Sequence, residues 1–244
     1  MIDIHSHVLP GIDDGADDLS VAAAMCRLAA EDGCEAMVMT PHQRTPTWEN
    51  TDRDHLDALR SEVEAATGGR PRLYPGGEIR VDDHLLDELG QLPVSGLVPL
   101  ADSRYLLLEM DRWLAPADPV SLTHELVVDG WVPIYAHPEM IPYLAEDLDL
   151  MRELVAAGAL FQVTAMSLVG DFGRRPRQTT CAMLDAGLVH FVASDSHGTD
   201  YRPPGLAAAR RELARRWGEP MARALTEDHP RAVVEDRPLE GSRS

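Results

Sequence analysis

Two pairs of side chains carry the first chemical signal. His5-Ser6-His7 stands at the start of the chain and Asp195-Ser196-His197 far along it. Residues i and i+2 of an extended strand point to the same side, so both members of each pair can reach one ion. Four more donors stand alone: His42 after Thr40-Pro41, Glu78 after Gly76-Gly77, Glu109 after Leu106-Leu107-Leu108, and His137 after Ala136. A carboxylate behind three leucines is costly unless it is paired or bound to a cation. Imidazole nitrogen with carboxylate oxygen, and no thiolate, suits Mn²⁺, Fe²⁺ or Zn²⁺ and disfavours soft ions. Such ions generate hydroxide near neutral pH, so hydrolysis without a protein nucleophile is the expected chemistry, with metal-bound hydroxide attacking. Asp13 and Asp14 lie in a glycine-bounded turn, where capping and ligation are both open. His55, His84, His124, His190 and His229 do not follow the pattern and are expected on the surface or in packing.

The surrounding elements alternate. Short apolar runs at 2–4, 36–40, 72–75, 105–108, 132–136, 160–163 and 189–193 are seven strand candidates. Segments of helical period fall between them, at 19–31, 52–66, 118–128, 148–157, 177–186 and 206–217. This alternation implies βα units and a parallel sheet. Seven units point to closure into a barrel, with an open sheet as the alternative that pattern alone leaves. Every donor named above falls at the C-terminal end of a strand candidate, the face that carries the active site in α/β barrels. The 244 residues suit one domain, expected over 1–236 and followed by a frayed polar tail over 237–244.

Composition removes several alternatives. The net charge of −19 disfavours a nucleic-acid backbone binder and a polybasic membrane contact. All 22 basic residues are arginine, which excludes a lysine Schiff base, a P-loop lysine and a carbamylated lysine bridge. Cys26, Cys34 and Cys181 fit neither a disulfide framework nor a zinc knuckle, and none is followed by arginine six residues later. Reduced cysteines, no signal peptide and no membrane-spanning run lead to an expected cytoplasmic location.

The opening His5-Ser6-His7-Val8-Leu9-Pro10-Gly11-Ile12-Asp13-Asp14-Gly15 resembles the polymerase-and-histidinol-phosphatase (PHP) superfamily. More closely, it resembles the manganese-dependent protein tyrosine phosphatases of bacterial capsule and exopolysaccharide systems, the CpsB/CapC family. The likeness continues through Thr40-Pro41-His42, Gly77-Glu78-Ile79-Arg80, Leu108-Glu109-Met110, Ala136-His137-Pro138-Glu139, the run from Gln162 to Gly170, Ser194-Asp195-Ser196-His197 and Arg202-Pro203-Pro204. It implies a distorted seven-stranded (β/α) barrel of the PHP type with a trinuclear centre. Carried onto this chain, it implies that His5, His7, Glu78 and Asp195 hold one ion. Glu78 would bridge to a second, completed by Glu109 and His137, while Asp14, His42 and His197 hold a third.

The resemblance further implies two or three divalent transition ions, manganese foremost, with iron or zinc as alternatives. It implies a phosphotyrosine-containing protein partner, such as the tail of a bacterial tyrosine kinase, and a phosphate-binding role for Arg202. Met140 stands where the family has a second arginine, and Thr164 where it usually has asparagine. A histidinol-phosphate phosphatase is the alternative enzyme, and a non-catalytic, metal-stabilised regulator the alternative of another class. A polymerase-associated exonuclease is disfavoured by the acidic charge. An amidohydrolase of the commonest binuclear form is disfavoured by the missing lysine. The oligomeric state is left open.

Overall fold

Aspartates set where several helices begin. Asp18, Asp52, Asp118 and Asp147 each accept backbone N–H bonds from residues two or three positions on, satisfying donors that a helix start leaves unpaired. The computed structural model describes residues 1–239. In chain order the elements are β1 Ile2–Ser6, α1 Leu19–Glu31, β2 Ala36–Met39, β3 His42–Gln43, α2 Arg53–Thr67, β4 Arg72–Tyr74, β5 Glu78–Arg80, α3 Leu85–Leu89, β6 Tyr105–Glu109 and α4 Pro119–Val128. They continue with β7 Val132–Ala136, α5 Pro142–Ala145, α6 Leu148–Ala157, β8 Leu160–Thr164, α7 Ala165–Val169, α8 Arg174–Asp185, β9 Phe191–Ala193, α9 Ala207–Trp217, α10 Glu219–Arg223 and α11 His229–Val234.

All strand pairs are parallel. One sheet has the order β1-β2-β4 and the other β3-β5-β6-β7-β8-β9. The second and third expected strands are β2 and β4, and each is followed, beyond a proline, by a short strand that was not expected, β3 and β5. Pro41 separates β2 from β3 and Pro75 separates β4 from β5; neither has a backbone N–H to give to a ladder. Their carbonyls are used elsewhere: Pro41 accepts from Glu78 N at 3.0 Å and Pro75 from Ala101 N at 2.6 Å. The outer edges of the two sheets also meet. Ser6 bridges Ser196, Asp195 N donates to the His5 carbonyl at 2.9 Å, and His7 N donates to the Ser196 carbonyl at 2.9 Å.

Alternation along the strands sorts the core. Ile2, Ile4, Ala36, Val38, Tyr105, Leu107, Ile134, Ala136, Phe191 and Ala193 form a cluster on one strand face. Leu106, Leu108, Tyr135, Phe161, Val163 and Val192 face the other way, with residues of α4, α6, α8 and α9. Ala232 and Val233 of α11 pack on the first cluster. So does Leu239, while the Tyr105 hydroxyl donates to the Arg237 carbonyl at 2.6 Å. The tail expected to fray is thus anchored over 237–239, because an apolar side chain finds a pocket there; the rest of it lies outside the described residues. No helix among the described residues is long and apolar enough to cross a membrane.

Candidate metal centre

The polar end of the interior cluster begins with a bulge. Asp3 pairs with Met37 and Ser6 with Met39, so three steps along β1 meet two along β2. An extra residue reverses side-chain parity. Ile2 and Ile4 fill the interior below, and after the bulge His5 and His7 continue the same face as donors. The i,i+2 reading therefore holds, with the two Nε2 atoms 3.2 Å apart. Register supplies the next donors: His42 lies opposite Glu78 on β3–β5, and Arg80 opposite Glu109 on β5–β6. Gly77 lets Glu78 approach, since a Cβ there would meet Gln43 Oε1 at 2.2 Å.

All nine residues named as ligand candidates meet. Glu78 Oε2 lies 3.4 Å from His5 Nε2, 3.4 Å from His7 Nε2 and 3.0 Å from His42 Nδ1. Its Oε1 lies 2.8 Å from His137 Nε2. Asp195 Oδ1 lies 3.3 Å from His5 Nε2 and 3.6 Å from His7 Nε2. Asp14 Oδ1 faces His42 Nε2 at 3.5 Å and His197 Nε2 at 3.3 Å, and Glu109 Oε2 faces His42 Nδ1 at 3.5 Å. The donor atoms form overlapping groups of ion-binding size: His7 with Asp14, His42 and His197; His5 with His137 and Asp195; His5 with His7 and Glu78; and His42 with Glu78 and Glu109. Buried Glu78 Oε2 and His42 Nδ1 face each other without a hydrogen bond of proper geometry. Two orphaned polar atoms aimed at one point, inside a nitrogen–oxygen donor set, fit shared cations.

The sequence did not reveal what holds the rings. Gln162 Oε1 takes His5 Nδ1 at 2.8 Å, Asp13 Oδ2 takes His7 Nδ1 at 2.8 Å, and the Asp195 carbonyl takes His197 Nδ1 at 3.0 Å. Each bond leaves Nε2 free to face the cluster, the outer partnership that fixes ligand imidazoles. The equivocal Asp13-Asp14 turn therefore divides its labour, Asp14 facing the cluster and Asp13 orienting His7. Asp13 also accepts from His42 N and Gly15 N, and a Cβ on Gly15 would meet the His7 carbonyl at 2.1 Å. Asn50 Nδ2 ties this turn to His42 through the carbonyls of Ile12 and His42, while Trp48 stacks on the His42 ring with centroids 5.4 Å apart. Asp13→Asn should weaken Mn²⁺ binding by roughly tenfold, the lower range for an outer-partner change. Calorimetric titration checks this, and an unchanged affinity would remove the orienting role.

Electrostatics in the ion-free cluster favour protonated rings at His7, His42 and His137, whereas burial and the nearby His7 push His197 down. Burial opposes charge on His7 and His137, but Asp13 and Glu78 respectively overcome it and push each up to about 9. Burial likewise opposes charge on His42, yet the Glu78 and Asp14 carboxylates push it up to about 12. Burial alone would raise Glu78, but His5, His42 and His137 hold it well below the usual carboxylate range. Burial and the Glu78 charge push Glu109 up. Ligation needs neutral imidazole, so ion binding at pH 7.5 must expel protons from His7, His42 and His137, and affinity should climb as the pH rises toward 9. The heat of Mn²⁺ binding should then depend on the buffer's ionisation enthalpy; equal heats in PIPES and Tris would contradict it. In chelated protein, charged His7 and His137 stabilise the fold fully below 6.5, and that contribution disappears as the pH rises through about 9.

Above the cluster opens a cavity of about 340 Å³, lined in part by Arg112, Met140, Phe172, Tyr201 and Arg202. Arg202 was expected here, and a guanidinium N–H pairs with Asp195 Oδ2 while its Nη1 lies 3.5 Å from His197 Nε2. Its Nε is buried without a partner. A following proline favours extended geometry, yet Arg202 has a φ of 51°, and its carbonyl accepts His197 N at 2.9 Å. His137 and Asp195 also take positive φ, 36° and 52°. Such backbone is costly for non-glycine residues and persists where surrounding contacts impose it. Of the histidines expected in packing, His190 Nδ1 accepts Phe161 N and its carbonyl takes His229 Nδ1.

Comparison with known proteins gives the family of the chain. A CapC protein of Staphylococcus aureus is 36% identical over 206 residues, covering 83% of this chain and 79% of its own. The tyrosine-protein phosphatase YwqE of Bacillus subtilis is 32% identical over 231 residues, covering 93% and 89%. A solved structure from work on YwqE and on CpsB of Streptococcus pneumoniae, described as unique metal-dependent tyrosine phosphatases, superposes with a TM-score of 0.90 at 30% identity, covering 98% of this chain and 96% of that one. Residues 1–235 match the model of capsular polysaccharide synthesis proteins CpsB/CapC, and the chain belongs to that family.

Proposed function

We propose that this protein is a metal-dependent phosphomonoester hydrolase of the protein-tyrosine-phosphatase type, acting in capsule or exopolysaccharide regulation. The observation that carries the reading is the meeting of His5, His7, Asp14, His42, Glu78, Glu109, His137, Asp195 and His197 beneath one cavity, in a chain of the CpsB/CapC family. We read the strands as a distorted seven-stranded (β/α) barrel, counting β2 with β3 and β4 with β5, with the Ser6–Ser196 junction supporting closure. One domain over 1–236 follows from that reading. The three free cysteines support a cytoplasmic setting.

Two or three divalent ions fit these donors, manganese foremost, with iron or zinc as alternatives. Bound there, they supply hydroxide from water near neutral pH and positive charge for phosphoryl oxygens. The chain's own residues do the rest. Gln162 and Asp13 fix the His5 and His7 rings through Nδ1. Glu78 faces four imidazoles at once, so it suits a bridging position. Arg202 lines the cavity and brings its guanidinium to the phosphate. The substrate class is phosphotyrosine in a protein, such as the tail of a bacterial tyrosine kinase.

The test is a substrate panel with the Mn²⁺-loaded protein: p-nitrophenyl phosphate, a phosphotyrosine peptide, histidinol phosphate and single-stranded DNA. The aryl phosphates should be hydrolysed, and chelation should abolish turnover. Preference for histidinol phosphate would favour the other enzyme of the superfamily. No turnover of any of the four would leave the regulatory reading.

A further inference from the structure

We propose that Arg112 is an anion-binding, specificity-determining arginine of this site, engaging the phosphoryl oxygens of an aryl phosphate at the cavity mouth. This rests on the phosphatase reading above and adds a residue to it. Arg112 lines the same cavity as Arg202. The two guanidinium groups differ in commitment. Arg202 is paired with Asp195. Arg112 is exposed, and among the described residues no carboxylate pairs with it; its contact is the Trp113 ring, 5.4 Å from its Cζ. The adjacent Asp111 does not neutralise it, because that carboxylate accepts Trp113 N at 2.8 Å, Leu114 N at 2.9 Å and Arg80 Nη2 at 2.8 Å.

Those same bonds make the turn rigid. The Tyr143 hydroxyl adds a further tie, donating to the Asp111 carbonyl at 3.1 Å. A turn bonded inward on several sides presents its next side chains outward: Trp113 is 77% and Leu114 75% exposed. Tyr201, another lining residue of the cavity, is 77% exposed. Of these, Tyr201 lines the cavity and Trp113 lies against the Arg112 guanidinium, so exposed aromatic surface adjoins this cation. The protein carries a net charge of −19, and Asp14, Glu78, Glu109 and Asp195 also line the cavity. Bound divalent ions would neutralise those carboxylates, so an incoming phosphate dianion meets repulsion from the rest of the acidic chain before it reaches them, and an uncommitted arginine at the mouth offsets it. Met140, on the same cavity, brings no charge.

The test uses Mn²⁺-loaded protein and two probes, p-nitrophenyl phosphate and inorganic phosphate. Arg112→Ala should raise KM and the inhibition constant for phosphate in parallel, by roughly three- to tenfold, the scale of a solvent-screened charge-assisted contact. The kcat should stay within about twofold. Arg112→Lys should fall between, since it keeps the charge and loses the fork. The difference between wild type and Arg112→Ala should shrink at high salt. Metal content and thermal midpoint should not move, because the side chain has no partner to strand. Unchanged KM and unchanged phosphate inhibition in Arg112→Ala would overturn the proposal, as would an effect confined to kcat. If wild-type protein fails to hydrolyse aryl phosphates, the phosphatase reading falls instead. Calorimetric binding of inorganic phosphate to the two loaded proteins still decides the role of Arg112.

Discussion

Glu78→Gln should abolish turnover and strip metal together. The side chain is fully buried, and His5, His7, His42 and His137 all converge on its two oxygens. Glutamine keeps the shape but replaces one oxygen with an NH₂ donor, which cannot ligate and points protons at imidazoles or cations. The lost negative charge leaves cations insufficiently neutralised. Breaking a buried charge contact costs about 3–5 kcal/mol, equivalent to roughly a hundred- to a few-thousandfold in affinity. Elemental analysis should show substoichiometric metal in the variant, with activity at or near background even in excess Mn²⁺. The ion-free variant should also bind fewer protons near neutral pH, since the Glu78 charge is a principal reason that His42 and His137 hold theirs. Full metal content with wild-type turnover would refute the bridging assignment.

Donor residues were legible in the sequence because strand geometry is local. His5 and His7 share a side by parity alone, and each lone donor follows an apolar run that ends at the same end of the parallel strands. That logic needs no partner. The rigidity of the site does need one. Gln162 is 157 residues from His5, and nothing in the glutamine itself marks it as the group that orients a ring. Asp13 was seen, but a turn aspartate has two outlets, and only the folded turn puts its Oδ2 on His7. The bulge in β1 was equally hidden, because it depends on register with β2 rather than on composition.

The fold shows a similar division. Long segments with clear period, such as α1, α2 and α6, lie within a few residues of expectation. Helices of four to six residues, α3, α5, α7, α10 and α11, went unread because so few turns carry no period. α8 begins three residues early, at Arg174, since Pro176 is tolerated in a first turn. The apolar runs at 36–40 and 72–75 stop at Pro41 and Pro75, and the strands beyond them, β3 and β5, went unread because two or three residues show no alternation. Arg112 went unnoticed for the opposite reason. It is an ordinary surface arginine until the fold sets it on the same cavity as Arg202.

Arg202→Lys should lower kcat/KM for aryl phosphates by roughly ten- to a hundredfold, the range for losing a charge-assisted hydrogen bond worth about 1.5–3 kcal/mol. The geometry explains why lysine is a poor substitute. One N–H of Arg202 is committed to Asp195 and Nη1 approaches His197, which leaves further Nη N–H groups on a side chain that lines the cavity. A planar fork can hold Asp195 and donate to phosphate together, whereas an ammonium on a flexible stem must choose. The positive φ at this position fixes the fork's origin, and the Phe172 ring, 5.6 Å from its Cζ, supports its face. Metal content should stay at the wild-type level, because lysine preserves the charge beside Asp195. Retained metal separates this variant from Glu78→Gln, and a larger loss than in Arg112→Lys separates the committed arginine from the exposed one. Equal kcat/KM in wild type and Arg202→Lys would mean that phosphate is held without the fork, leaving Arg202 to neutralise Asp195 alone.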